Sequence, residues 1–97
     1  MTAVSRTAQA ILADQFRLTA ELAVLTGEYH RMLQKLAATG FARQLAEMSG
    51  DDDALAEADR MEVSAQFAAD SCEVRVTDLE RQLAALGHEL AALKDNP

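Results

Sequence analysis

The chemistry this sequence can do is concentrated in one run of carboxylates. Asp51, Asp52 and Asp53 are consecutive, and Glu57 and Asp59 follow four and six residues after Asp53. Carboxylates gathered on an exposed turn can hold a Mg²⁺ ion by one or two oxygens, with water or another protein's ligands completing the shell. The same residues have a second use. Aspartate is a favoured N-cap, and acids in a first helical turn oppose the positive end of the helix dipole. The residues alone leave both uses open.

Elsewhere the side chains offer little chemistry. His30 and His88 are the only histidines. Glu28 and His30 are two apart and so lie on different faces of a helix, unlike the Glu-x-x-His spacing of di-iron bundles. Cys72 is the single cysteine, which rules out an intrachain disulfide or a thiolate metal cluster and suits a reduced, cytoplasmic setting. Its apolar neighbours predict a buried, inert thiol. No nucleophile–base–acid set, phosphate-cradling glycine loop or zinc spacing is present. The expectation is therefore a protein with no catalytic residues, no metal site and no cofactor of its own, Mg²⁺ entering only if shared with a partner.

Two long elements must carry these residues. In the first, Val4, Ile11, Leu18, Leu25 and Met32 recur every seven residues, with Ala8, Gln15, Leu22, Tyr29 and Leu36 four residues after each. That alternation of four and three is the seam of a coiled coil. After Leu36 the pattern reads as broken: Gly40 intervenes, and Phe41, Leu45 and Met48 suggest a new phase. The sequence thus predicts a kink or short break near Gly40, then a short helix to Met48 and a turn over Ser49-Gly50-Asp51-Asp52-Asp53. The second element is strongest at Cys72, Val76, Leu79, Leu83, Leu86, Leu90 and Leu93, again spaced four and three. Carried backwards, its register passes through Ala69, Ala65, Glu62, Ala58 and Leu55. Asn96-Pro97 ends it, because proline disfavours α geometry in the residue before it.

The fold class expected is all-α: one domain over residues 1–97, folded as a long antiparallel coiled-coil hairpin. Arm one spans about 4–39, the tip region 40–53 and arm two about 53–94. Composition agrees. The chain is 49 % hydrophobic but only 4 % aromatic, so it suits a thin seam between helices better than a thick core. Leu12, Phe16, Val24, Leu33 and Phe67 fall off the seam and also need cover. Dimerisation of two hairpins into a four-helix bundle is a second arrangement the pattern allows. Phe16, Phe41 and Phe67 are candidate partner-binding aromatics. A net charge of −7, from 16 acidic against 9 basic residues, disfavours nucleic acid and anionic membranes as partners. The first ten residues lack the pattern of a signal peptide, and no apolar run approaches the roughly 18 residues of a membrane span.

At this point the chain resembles a family. Cys72-Glu73-Val74-Arg75-Val76-Thr77-Asp78-Leu79-Glu80-Arg81-Gln82-Leu83 is similar to the descending helix of the Gre-type transcript cleavage factors, where a Glu-x-Arg-Ile-x-x-Leu-Glu-x-x-Leu run follows an acidic hairpin tip. Arg17-Leu18-Thr19-Ala20-Glu21-Leu22-Ala23-Val24-Leu25 resembles the family's early Leu-x-x-Glu-Leu-x-x-Leu stretch, and Gly50-Asp51 stands where the family opens its tip. The tip then departs, reading Ala54-Leu55-Ala56-Glu57-Ala58-Asp59 without the family's Asn and Tyr. The resemblance implies a hairpin that enters the secondary channel of RNA polymerase and modulates transcription. Asp51, Asp52, Asp53 and Glu57 would be its tip acids, sharing the polymerase's Mg²⁺. The alternatives are a non-catalytic homodimeric adaptor, or a helical chaperone for a partner protein.

Overall fold

Alanine and leucine lead the helix-propensity scale, and this chain uses them throughout. The structure, a computed structural model, describes residues 6–95. It contains two helices: α1, Ala8–Ser49, and α2, Asp52–Asp95. They fold back on each other as a rod of 71 × 23 × 17 Å. The radius of gyration is 21.4 Å, against about 12.5 Å for a globular domain of this length. The all-α hairpin expected from the heptads is thus the observed architecture. Val4 and the stop at Asn96-Pro97 lie outside the described residues.

Both helices begin on a side-chain cap. The Thr7 hydroxyl accepts from the Ala10 N–H at 3.1 Å, and the Asp51 Oδ1 accepts from the Ala54 N–H at 3.1 Å. Each satisfies one of the orphan donors of a first helical turn. Between the helices Gly50 adopts φ 70°, and its N–H donates to the carbonyls of Ala46 and Glu47. Glycine reaches this left-handed conformation without the steric cost that Cβ imposes.

One expectation is corrected. α1 does not break or bend into a separate element at Gly40; it runs through to Ser49. The tip is therefore the pair Gly50–Asp51 and not the stretch 40–53. The reason lies in the seam, which changes residue size without changing phase. Thr39 and Ala46 continue the series Ile11, Leu18, Leu25, Met32 and are buried at 4 % and 6 % exposure. Phe41, Leu45 and Met48, read as a new phase, all face solvent. A glycine inside a helix costs up to about 1 kcal/mol, too little to end a helix whose seam continues on both sides.

The seam divides into two halves. Towards the open end, Ile11, Leu18 and Leu25 of α1 and Cys72, Leu79 and Leu86 of α2 form one buried cluster. Leu22, Tyr29, Val76, Leu83, Leu90 and Leu93 pack against it, partly buried. Each fully buried leucine-sized side chain stabilises by about 1.5–3 kcal/mol. The Cys72 thiol donates to the Leu25 carbonyl at 3.6 Å, a weak bond from a buried sulfur. Towards the tip the buried positions are Thr39 and Ala46 against Ala58, Ala65 and Ala69. Met32 and Leu36 are half-buried between the halves. Among the described residues no helix is long and apolar enough to cross a membrane.

Candidate functional site

The tip presents its carboxylates on a short connection, and the structure separates their roles. Asp51 is the α2 cap, with one carboxylate oxygen turned to its own helix. Asp52 and Asp53 occupy the first turn of α2, both exposed, and neither forms an ion pair among the described residues. Glu57 is turned along the helix to Arg60, 2.6 Å away. Among the described residues no three His, Cys, Asp or Glu side chains come together to hold a metal ion. Of the acids singled out by sequence, Asp52 and Asp53 are thus the two exposed carboxylates with neither a capping bond nor an ion pair among the described residues.

A second acidic group lies just behind the tip, and sequence reasoning missed its centre. Arg43 is the seam residue one heptad after Leu36. Its guanidinium reaches Asp59 at 3.2 Å and Glu62 at 3.4 Å on α2, and Glu47 at 3.5 Å on its own helix. This cluster raises the Arg43 pKa further above its ordinary value, first through the charge of Asp59 and then through the hydrogen bond to Glu62. The signal was available: position 43 falls in register, with Asp59 and Glu62 flanking the facing stretch of α2. At the open end Arg6 does the same work, joining Asp14 at 2.6 Å to Glu89 at 2.8 Å across the two helices. All these groups are substantially exposed, so each contact contributes modestly.

The remaining candidates fall into two classes. The predicted seam residues on α1 (Leu18, Leu22, Leu25, Tyr29, Met32 and Leu36) and on α2 (Cys72, Val76, Leu79, Leu83, Leu86, Leu90 and Leu93) are all buried or half-buried. The three phenylalanines stand outside: Phe16 is 80 % exposed, Phe41 63 % and Phe67 74 %. His30 and His88 are exposed as well, the His30 ring lying 6.3 Å from that of Tyr29.

The two flanks beside the seam differ in chemistry. On one, Asp14, Glu21 and Glu28 of α1 share a surface with Arg75 and Glu89 of α2, and Arg6 and Arg17 bridge among them. On the other flank the paired charge is gathered at the tip end, around Arg43. Along this flank α1 presents Leu12, Phe16, Thr19, Ala23 and Leu33, and α2 presents Val63, Phe67, Ala84 and Gly87 among its acids. Large exposed apolar side chains in series are a common mark of a protein-binding surface. Compared with family models, curated proteins and solved structures, the chain matches none.

Proposed function

We propose that this chain is a non-catalytic interaction hairpin that binds another protein through its acidic tip, with RNA polymerase as the partner that the Gre-type resemblance points to. One observation carries the reading. A rod 23 × 17 Å in section and 71 Å long ends in a tight turn from which Asp52 and Asp53 project. A shape of that kind delivers charge to the bottom of a narrow channel. Its acidic surface suits a channel lined by basic residues, where complementary charge speeds encounter. Any Mg²⁺ met there would belong to the partner's site, with Asp52 and Asp53 supplying one or two oxygens. The setting proposed is cytoplasmic, with no direct role for nucleic acid or membrane.

The test is transcript cleavage by stalled, backtracked polymerase complexes in Mg²⁺, with this protein or its Asp51/Asp52/Asp53→Asn version. Asparagine caps helices as well as aspartate does, so the substituted hairpin keeps its fold and loses only charge. Faster cleavage that disappears with the substitution supports the reading. Inhibition by both versions makes the tip a plug. No effect from either, together with no binding to polymerase, removes polymerase as the partner.

A second reading rests on a different observation. The apolar flank along Leu12, Phe16 and Leu33 fits a homodimeric adaptor in which pairing of two hairpins is the working state. In that case Leu25→Asp or Leu83→Asp abolishes function together with assembly, whereas charge-neutral changes at the tip are tolerated.

A further inference from the structure

We infer that two copies of this chain pack face to face through the Leu12–Phe16–Leu33 flank, in parallel, with both acidic tips at the same end. The inference rests on the adaptor reading, to which it gives a surface and an orientation; entry into a narrow channel would use the unpaired hairpin.

The area argument comes first. The hairpin exposes 7240 Å², whereas a compact monomer of 10.5 kDa exposes about 5,400 Å². The surplus exceeds the roughly 800 Å² that each partner contributes to a standard interface. Much of it is apolar: Leu12 is 51 % exposed, Phe16 80 %, Leu33 39 %, Val63 71 % and Phe67 74 %. Side chains of this size left in water are a solubility liability unless something covers them.

Charge then decides what covers them and in which direction. The α1 strip of this flank carries no carboxylate from Leu12 to Gln44; its titratable groups are His30 and, at the tip end, Arg43, which is already paired with Asp59 and Glu62. The α2 strip carries Asp59, Asp70, Glu73 and Glu80. An antiparallel pair sets α2 on α2 and opposes those acids to each other. A parallel pair, related by a two-fold axis along the rod, sets α1 of each copy on α2 of the other. The neutral strip then meets the acidic one. By the levels that the Leu25–Cys72 contact fixes, Leu12 comes over Ala84, Phe16 between Glu80 and Ala84, Leu33 over Val63, and His30 within a turn of Asp70. The opposite flank sets its exposed Val24 among Glu21, Glu28 and Arg75, and its Asp14, Glu21 and Glu89 are bridged by Arg6 and Arg17.

Parallel packing brings Asp51, Asp52 and Asp53 of both copies to one end. Their repulsion is screened by salt, over a Debye length of about 8 Å at physiological ionic strength. Association therefore tightens as salt rises, and tightens again when the three aspartates are changed to asparagine. An interface held by surface charge pairs weakens in salt, so the sign excludes that kind of interface, and the direction of packing is decided separately.

The experiment is sedimentation equilibrium of the full chain over a range of concentration and salt, without any polymerase. Expected are a dimer strengthened by salt, loss of affinity by about 100-fold or more with Phe16→Asp or Leu33→Asp, and no loss with Val24→Asp on the opposite flank. Circular dichroism checks that each variant stays helical; these positions are exposed, so their side chains are not needed for the hairpin itself. Spin labels on Ser49→Cys in a Cys72→Ala background report the direction. Labels about 20–30 Å apart, two to three helix diameters, support parallel packing. Labels separated by nearly the 71 Å length of the rod overturn it. A monomer under every condition, or equal loss with Val24→Asp, overturns the surface and leaves the flank to a different protein.

Discussion

The half of the hairpin near its open end and the half near its tip share one register and almost nothing else. Near the open end the seam is leucine-rich, a continuous cluster from Ile11 to Leu86. Near the tip the same positions hold Thr39, Arg43 and Ala46 against Ala58, Glu62, Ala65 and Ala69. Burial is similar in the two, since Ala69 is as inaccessible as Ile11 at 2 %. What differs is how much apolar surface each buried residue removes from water, and that quantity sets the stabilisation. A residue can therefore be fully buried and still hold little. The tip half depends on helix propensity, caps and the Arg43 cluster, and amide exchange should be faster there than at the open end.

Five substitutions sharpen that contrast or break it. Leu79→Ala, in the open-end cluster, costs about 2–5 kcal/mol, while Ala65→Gly near the tip costs about 1 kcal/mol. Denaturant unfolding followed by circular dichroism measures both, and equal losses would collapse the distinction between the halves. Gly50→Ala comes next, at about 1–2 kcal/mol, because a Cβ is strained in the left-handed conformation at φ 70°. Gly40→Ala acts in the other direction. A Cβ there meets nothing within 4 Å, so the variant gains up to about 1 kcal/mol from propensity; a loss would mean that α1 needs its glycine to bend. Phe67→Ala, 74 % exposed, changes monomer stability by no more than about 0.5 kcal/mol. A loss of several kcal/mol would place that ring in packing and remove it from the docking surface.

The Arg43 cluster also fixes a pH dependence. The folded Arg43 pKa is raised above its unfolded value. Its stabilisation is then fully present below the unfolded pKa and is lost only as pH rises through the folded one. That window lies in strong alkali, so across the neutral range the arginine side of the cluster is constant.

The sequence made most of this architecture legible, and the misses have a common cause. The α2 seam could be followed from Leu93 back to Leu55, through Ala69, Ala65, Glu62 and Ala58, because its strong leucine half anchors the count. On α1 the pattern is plain from Val4 to Leu36, beyond which its large residues suggest a new phase. The eye follows bulk: Phe41, Leu45 and Met48 are large and exposed, whereas Thr39 and Ala46 are small and buried. Periodicity is a property of position, and only the continuing interval of seven would have kept the register. At the tip, Gly-Asp announced the turn. Which aspartate caps and which two face outward is decided by backbone geometry within one residue, and composition does not encode it. Arg43 was hidden because arginine is ordinarily a solvated residue; its meaning emerges only when the facing carboxylates are in place.

The two-residue connection at Gly50–Asp51 has a kinetic consequence. It makes contacts near the turn easy to close, but the seam there rewards closure weakly. The leucine contacts that reward it strongly join residues far apart in sequence, such as Leu25 and Cys72, 47 positions apart. Each doubling of such a loop adds about 0.6 kcal/mol to the entropy of closure. The chain therefore zips from the turn through its poorest seam before it reaches its richest, and the rate-limiting barrier lies on the tip side. Substitutions at Gly50 or Ala65 should slow folding and leave the unfolding arm of the chevron nearly unmoved. Those at Leu79 or Leu86 should do the reverse, accelerating unfolding with little effect on folding. The lifetime of the native hairpin is then governed by leucines that take no part in starting it.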